Sequence, residues 1–430
     1  MARRLHTTDA DFERAFTELV EGARHVPEDV AETVRAIIAD IRERGFGAVL
    51  DSTRRFDGFD PGENLSPLDA QALDAARRKC SGSLVEDLEF AAARIRDYHR
   101  RQMPADHDYV DAAGVRLGWR WTPVSAAGLY APGGRAAYPS SVLMNAIPAT
   151  VAGVKRLCMC APTPGGVVNP AVLAAASIAG VSELWPIGGA QAIAAMAYGA
   201  APIAPVDVIV GPGNAFVAEA KRQVFGVVGI DAVAGPSEIL VVADAANEPE
   251  WIAADLLSQA EHDPSSQSVL ITDDSAFADV VAAEVDRQLA ASPRREIAAA
   301  AWNDNSAVIV VGALGEAPAL IDALAPEHLE LAVADPDALA AKVSNAGAIF
   351  LGRHTPEALG DYVAGPNHVL PTARTARYAS GLSPLNFMKR TSIISAGEQA
   401  VAKIGPAAAR LADVEGLPSH ARSVRLRIRD

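Results

Sequence analysis

Residues 27–45 place apolar side chains at Val30, Val34, Ile37, Ile38 and Ile41, steps of three and four that line one stripe of an α-helix. Pro27 suits its first turn and Gly45 its stop. A pattern of the same period runs through 84–103, with charged residues between the apolar ones. From about residue 123 the pattern changes. Short apolar runs (RLCMC, ELWPIGG, VDVIVGPG, EILVVAD, SVLITD, AVIVVG and GAIFLG) alternate with helical stretches across Gly/Pro turns. Such alternation predicts an α/β protein with a mainly parallel sheet. So many strands exceed one sheet, and a break near Val233–Pro236 divides two α/β units.

The expected organisation is an N-terminal arm (1–25), a first α/β unit from 26–125 and 235–377, a second from 126–234, and an extension over 378–430. The extension has a Ser/Gly/Pro-rich start, a helix around 396–413 and the end EGLPSHARSVRLRIRD, too little for its own core. There Arg425, Arg427 and Arg429 alternate, which suits a strand or an exposed tail.

Composition narrows the classes. Half of the 430 residues are apolar and 21% charged, ordinary for a globular enzyme. The net charge of −15 argues against nucleic acid or an anionic membrane as partner. The N-terminal arginines have no apolar run behind them, and no stretch is long and apolar enough to span a bilayer. Cys80, Cys158 and Cys160 make no disulfide framework, and the latter two suit buried packing. A cytoplasmic location is the natural expectation.

Chemistry concentrates in a few polar clusters. In DLLSQAEHDP (255–264), Gln259 and His262 stand three apart near a helix end stopped by Pro264. That spacing makes them neighbours, as a hydrogen-bonded surface pair or as half of a metal site. With Asp361 and His420 they would supply two imidazoles and two oxygens, a set that suits zinc or a similar divalent ion. Asp255, seven before His262, is either an acceptor behind the ligands or a surface carboxylate. Glu327 and His328 follow Pro326 and can form two general bases of different pKa, or a helix-start Glu beside a satisfied His. For a nucleotide, Gly211-Pro-Gly213-Asn214 lacks the third glycine of the dinucleotide fingerprint. It and the turns LYAPGG (129–134) and IGGAQAI (187–193) each carry one polar or aromatic group, Asn214, Tyr130 and Gln191. Such turns serve equally where backbones merely pass close. No nucleophile elbow, HExxH or P-loop lysine motif is present.

The segments LYAPGGRAAYPSSVLMNAIPA, GPGNAFVAEAKR, GPSEILVVAD, LLSQAEHDP, PEHLEL, GDYVAGPNHVLPT, GLSPLNFMKRTS and EGLPSHA together closely resemble the histidinol dehydrogenase family over essentially the whole chain. The resemblance implies oxidation of L-histidinol to L-histidine with two NAD, by two incomplete Rossmann-like domains with a helical N-terminal segment and a C-terminal extension. It implies zinc on Gln259, His262, Asp361 and His420, and Glu327 and His328 as catalytic bases. Ser237, His328, His368 and Glu415 would line the substrate site together with those ligands, and Tyr130, Gln191 and Asn214 the NAD site. It further implies a homodimer whose extension crosses over, so that Glu415 and His420 complete the partner's site. The alternative within the same machinery is another small alcohol, such as a sulfonated diol; Glu415 suits a cationic amine better than a sulfonate.

Overall fold

The computed structural model describes residues 2–22, 28–58, 60–132, 138–233 and 235–428. Pro27, Gly133, Gly134 and Arg429 lie outside them. Two six-stranded sheets dominate. The first runs, in spatial order, Arg3–His6, Ala307–Val310, Gln267–Thr272, Glu238–Ala243, His328–Ala332 and Ala348–Leu351, all parallel. The second runs Leu68–Asp69, Glu183–Trp185, Arg156–Cys160, Ala126–Tyr130, Val208–Val210 and Gly229–Ile230, parallel except for its first member. Helices cover both faces, so a central strand such as Glu238–Ala243 is buried at every position. That two-sided burial is why these strands read as continuous apolar runs and not as alternation.

The helices of the N-terminal quarter correct the expected grouping of 26–125 with 235–377. In Glu28–Arg44, Val34 and Ile41 pack in one core with Trp185, Ile193 and Val217 of the second unit. Leu73 and Ile95 join the core on that sheet's other face, with Val142 and Leu157. The expected arm, 1–25, contributes the edge strand Arg3–His6 and the helix Phe12–Glu21 to the first sheet. The chain passes from the second sheet to the first between Gly229–Ile230 and Glu238–Ala243.

A third sheet, antiparallel, joins Met388–Ser395 to Arg116–Pro123 and His107–Val110. It ties the start of the extension to the body of the molecule. The helix Glu398–Val414 follows, then a second helix, Pro418–Arg425. In place of the strand expected there, Arg425 ends this helix and Arg427 follows it, exposed, in a turn. The two helices approach closely at Gly405, where an added Cβ would lie 3.2 Å from Val424. Among the described residues no helix is long and apolar enough to cross a membrane.

Candidate active site

Leaving aside the edge strand at its head, each large sheet has its strands in the sequence order third, second, first, fourth, fifth. Order reverses beside the first of these strands, and in such sheets ligands bind at that switch point, outside the carboxyl ends. The second sheet follows this rule. Tyr130 ends Ala126–Tyr130, and Gly211 follows Val208–Val210. The first sheet does not: its polar residues gather at the amino ends.

Glu238 and His328 open neighbouring strands, in register one residue apart. The Glu238 N–H donates to Glu327 Oε2 at 3.0 Å, and the Glu327 N–H donates to Glu238 Oε2 at 3.3 Å. His328 Nδ1 lies 2.9 Å from the Glu238 carbonyl. A carbonyl only accepts, so Nδ1 carries the hydrogen, and a neutral His328 presents its lone pair at Nε2. That atom is buried and faces Asp361 Oδ1 at 3.8 Å and Glu357 Oε1 at 3.9 Å. Glu357 and Asp361 stand four apart on the short helix Glu357–Tyr362.

The other expected groups arrive from separate elements. Gln259, buried in the last turn of Pro249–Ala260, hydrogen-bonds Glu357. The helix ends before His262, whose Nδ1 lies 3.4 Å from Ser237 Oγ. His368 rests its Nδ1 on the Asp361 carbonyl at 2.9 Å and its Nε2 on Ser141 Oγ at 3.3 Å. Ser141 belongs to the helix that follows Tyr130, so this contact joins the acidic cluster to the carboxyl end of the second sheet. Glu415 and His420 are not brought in. Both are exposed, Glu415 just past the helix Glu398–Val414 and His420 on Pro418–Arg425.

Burial and crowding set the protonation states. Burial, with Glu238 and Asp361 adding repulsion, pushes the Glu327 carboxyl up to about 8. Burial likewise moves Glu357 to about 7, with Asp361 as the next cause. For His328, burial opposes the charge, but the carboxylates of Glu327, Asp361 and Glu357 outweigh it and raise the imidazole to about 10. Asp361 also loses solvation, yet His328 and His368 hold it below the usual carboxylate range. His262 and His368 are both pushed down by burial.

His328, Glu357 and Asp361 can place one ligand atom each within 4.8 Å of one another, the geometry of a cation site. His328 Nε2 and Glu357 Oε1 are buried with no hydrogen-bond partner among the described residues. The orphaned carboxylate oxygen beside Asp361 fits a divalent metal, and the orphaned imidazole nitrogen fits a group that gives up a proton. Of the expected ligands, Asp361 is in this group, Gln259 adjoins it through Glu357, and the charges of His262, Asp361 and His328 act on one another. Sequence reasoning missed Glu357 and Glu238. The four-residue step from Glu357 to Asp361 is a signal that could have found the first.

At the second sheet, a cavity of ≈ 350 Å³ is lined by all three residues expected for a dinucleotide, Tyr130, Gln191 and Asn214. The Tyr130 hydroxyl accepts from the Gly189 N–H at 3.0 Å. Asn214 caps the helix Ala215–Val224 through the N–H groups of Phe216 and Val217. Gln191 is fully buried, and both its amide atoms lack partners among the described residues, which fits a ligand with polar edges. The turn is braced from behind. The Gly211 N–H donates to Asp231 Oδ2 at 2.8 Å, Lys221 Nζ donates to the Gly211 carbonyl at 3.0 Å, and Lys221 and Asp231 form a buried ion pair.

Paired, largely parallel sheets with a polar pocket at the switch point of one and an acid–imidazole cluster at the other define an α/β oxidoreductase. The sequence profile of histidinol dehydrogenase matches residues 21–428. The chain is 60% identical to the histidinol dehydrogenase of Rhodospirillum rubrum, covering 100% of this chain and 99% of that protein. It is 57% identical to that of Rhizobium meliloti, at the same coverage. The histidinol dehydrogenase of Elizabethkingia anophelis superposes with a TM-score of 0.93 at 34% identity, over 99% of this chain and 98% of that one. An acetylating aldehyde dehydrogenase from Geobacillus thermoglucosidasius shares the fold alone, with a TM-score of 0.51 and 13% identity. The chain belongs to the histidinol dehydrogenase family.

Proposed function

We propose that this chain oxidises L-histidinol through L-histidinaldehyde to L-histidine, using two NAD, as the last steps of histidine biosynthesis. The observation that carries the reading is the convergence of Glu327 and His328 with Gln259, His262, Asp361, Ser237 and His368 from separate elements. Gln259, His262 and Asp361 would hold a zinc ion, with His420 of a second copy completing the set. Bound there, zinc would supply a charge that fixes the substrate's imidazole and amine and opposes the carboxylate field that keeps His328 protonated. NAD, held by Tyr130, Gln191 and Asn214, would supply the hydride acceptor.

The chain's own groups manage the protons. His328 takes the substrate's hydroxyl proton at Nε2, its Nδ1–H being anchored on the Glu238 carbonyl. Glu327, held by the Glu238 N–H, takes a proton from the water that must add to the aldehyde before a second oxidation. A covalent thiol route has no residue to use: Cys158 and Cys160 are buried in the second sheet and Cys80 packs against Pro170. Glu415 from a second copy would meet the substrate's amine, and the homodimer would therefore share its sites. A sulfonated diol would bring its anion against Asp361, which His328 and His368 hold ionised. The test is the amount of NADH formed per L-histidinol consumed. Two supports this reading; none, or turnover of a sulfonated diol alone, overturns it.

A further inference from the structure

Among the described residues, the pocket beside Tyr130 has one carboxylate in its lining, and it belongs to neither large sheet. Asp57 follows the helix Phe46–Phe56, lines the pocket and accepts a hydrogen bond from the Gly188 N–H. Its Oδ2 is buried and has no partner among the described residues. Gln191, in the same pocket, is equally unpartnered at both amide atoms. Two phenylalanines of the lining, Phe56 at 48% exposure and Phe216 at 39%, offer ring faces on which a planar base can stack. The helices Gly189–Tyr198 and Ala215–Val224 both begin here, and helix N-termini favour phosphate.

Among the described residues no lysine, arginine or histidine lines this pocket. Of the two arginines that precede Asp57, Arg54 is held by Asp51 and Asp60, and Arg55 lies over the Phe56 ring, 5.0 Å from its centroid. A ribose with free hydroxyls can donate to a carboxylate with spare lone pairs. A phosphate on that ribose would bring up to about two negative charges against the same carboxylate, with no cation among the described lining residues to receive them.

We propose that Asp57 selects NAD over NADP, its carboxylate accepting from a ribose hydroxyl at the position where NADP carries its phosphate. The proposal rests on this pocket being the cofactor site. Its test compares Kd, from calorimetric titration without histidinol, and kcat/KM for NAD and for NADP in the full-length, zinc-loaded enzyme and in the variants Asp57→Asn, Asp57→Ser and Asn214→Ala. The two Asp57 variants should lower the preference for NAD about tenfold or more, the size of one lost charge-assisted hydrogen bond. KM for histidinol should stay unchanged, which separates selection from general disruption. A preference that stays within about twofold of the parent, with KM for NAD raised by Asn214→Ala, overturns the role of Asp57 and leaves the pocket as the cofactor site. If neither the Asp57 variants nor Asn214→Ala alters KM for NAD, the pocket reading falls as well.

Discussion

Glu327 must give up its proton to act as a base, and burial holds that proton up to about pH 8. Under the proposed role, kcat/KM should therefore rise with pH through about 8. Glu327→Gln should lack that rising limb and lose roughly 10²- to 10⁴-fold in kcat, the usual size of a general-base contribution. A pH–rate profile of the variant with its limb intact would remove Glu327 from the mechanism. The same shift has a consequence for stability. The folded chain binds this proton more tightly than the unfolded one, so the stabilisation is complete below the ordinary glutamate pKa of about 4.3 and is lost as pH rises through the folded value. Glu357, at about 7, acts in the same direction. Urea titrations of the metal-free protein should show stability falling between pH 5 and pH 9, less steeply in Glu327→Gln. The pairs Gln259–His262 and Glu327–His328 were legible because their members are close in sequence. Glu238 was not, because what it touches, Glu327, lies 89 positions away.

At the scale of elements, the glycine turn after Val208–Val210 depends on a pair that no motif announces. Lys221 and Asp231 grip the carbonyl and N–H of Gly211. Lys221→Met would leave Asp231 charged and buried, a loss of about 3–5 kcal/mol, measurable as a lower denaturant midpoint. A loss within error would show that the pair does not brace the turn. The parallel strands of both sheets were readable as apolar runs because both their faces are covered. The antiparallel sheet was not: Met388–Ser395 is exposed at almost every position, so no burial pattern marks it. The edge strand Arg3–His6 escaped for a related reason, with four residues and only Leu5 buried. The packing of Glu28–Arg44 on the second sheet was equally hidden, since an amphipathic stripe says that a helix is covered but not by what.

Across the whole molecule, the cluster lacks Glu415 and His420, which stand exposed with Leu411, Val414 and Leu417 on the C-terminal helices and the turn between them. If a second copy supplies them, mixing His262→Ala chains with His420→Ala chains should restore activity that neither has alone, because one site of each mixed pair is intact. Mixed pairs that form and stay inactive would count against a shared site. The crowd of acids at the amino ends of the first sheet also bears on how turnover ends. Under the proposed reaction, histidinol arrives as a cationic amino alcohol, and histidine leaves with a new carboxylate among Glu238, Glu327, Glu357 and Asp361. Like charges this close repel, and most above about pH 8, where Glu327 and Glu357 are ionised beside Asp361. The field that attracts the substrate thus ejects the product, and histidine should inhibit with a Ki well above the KM for histidinol, which would leave the enzyme working in a cell already supplied with its own product.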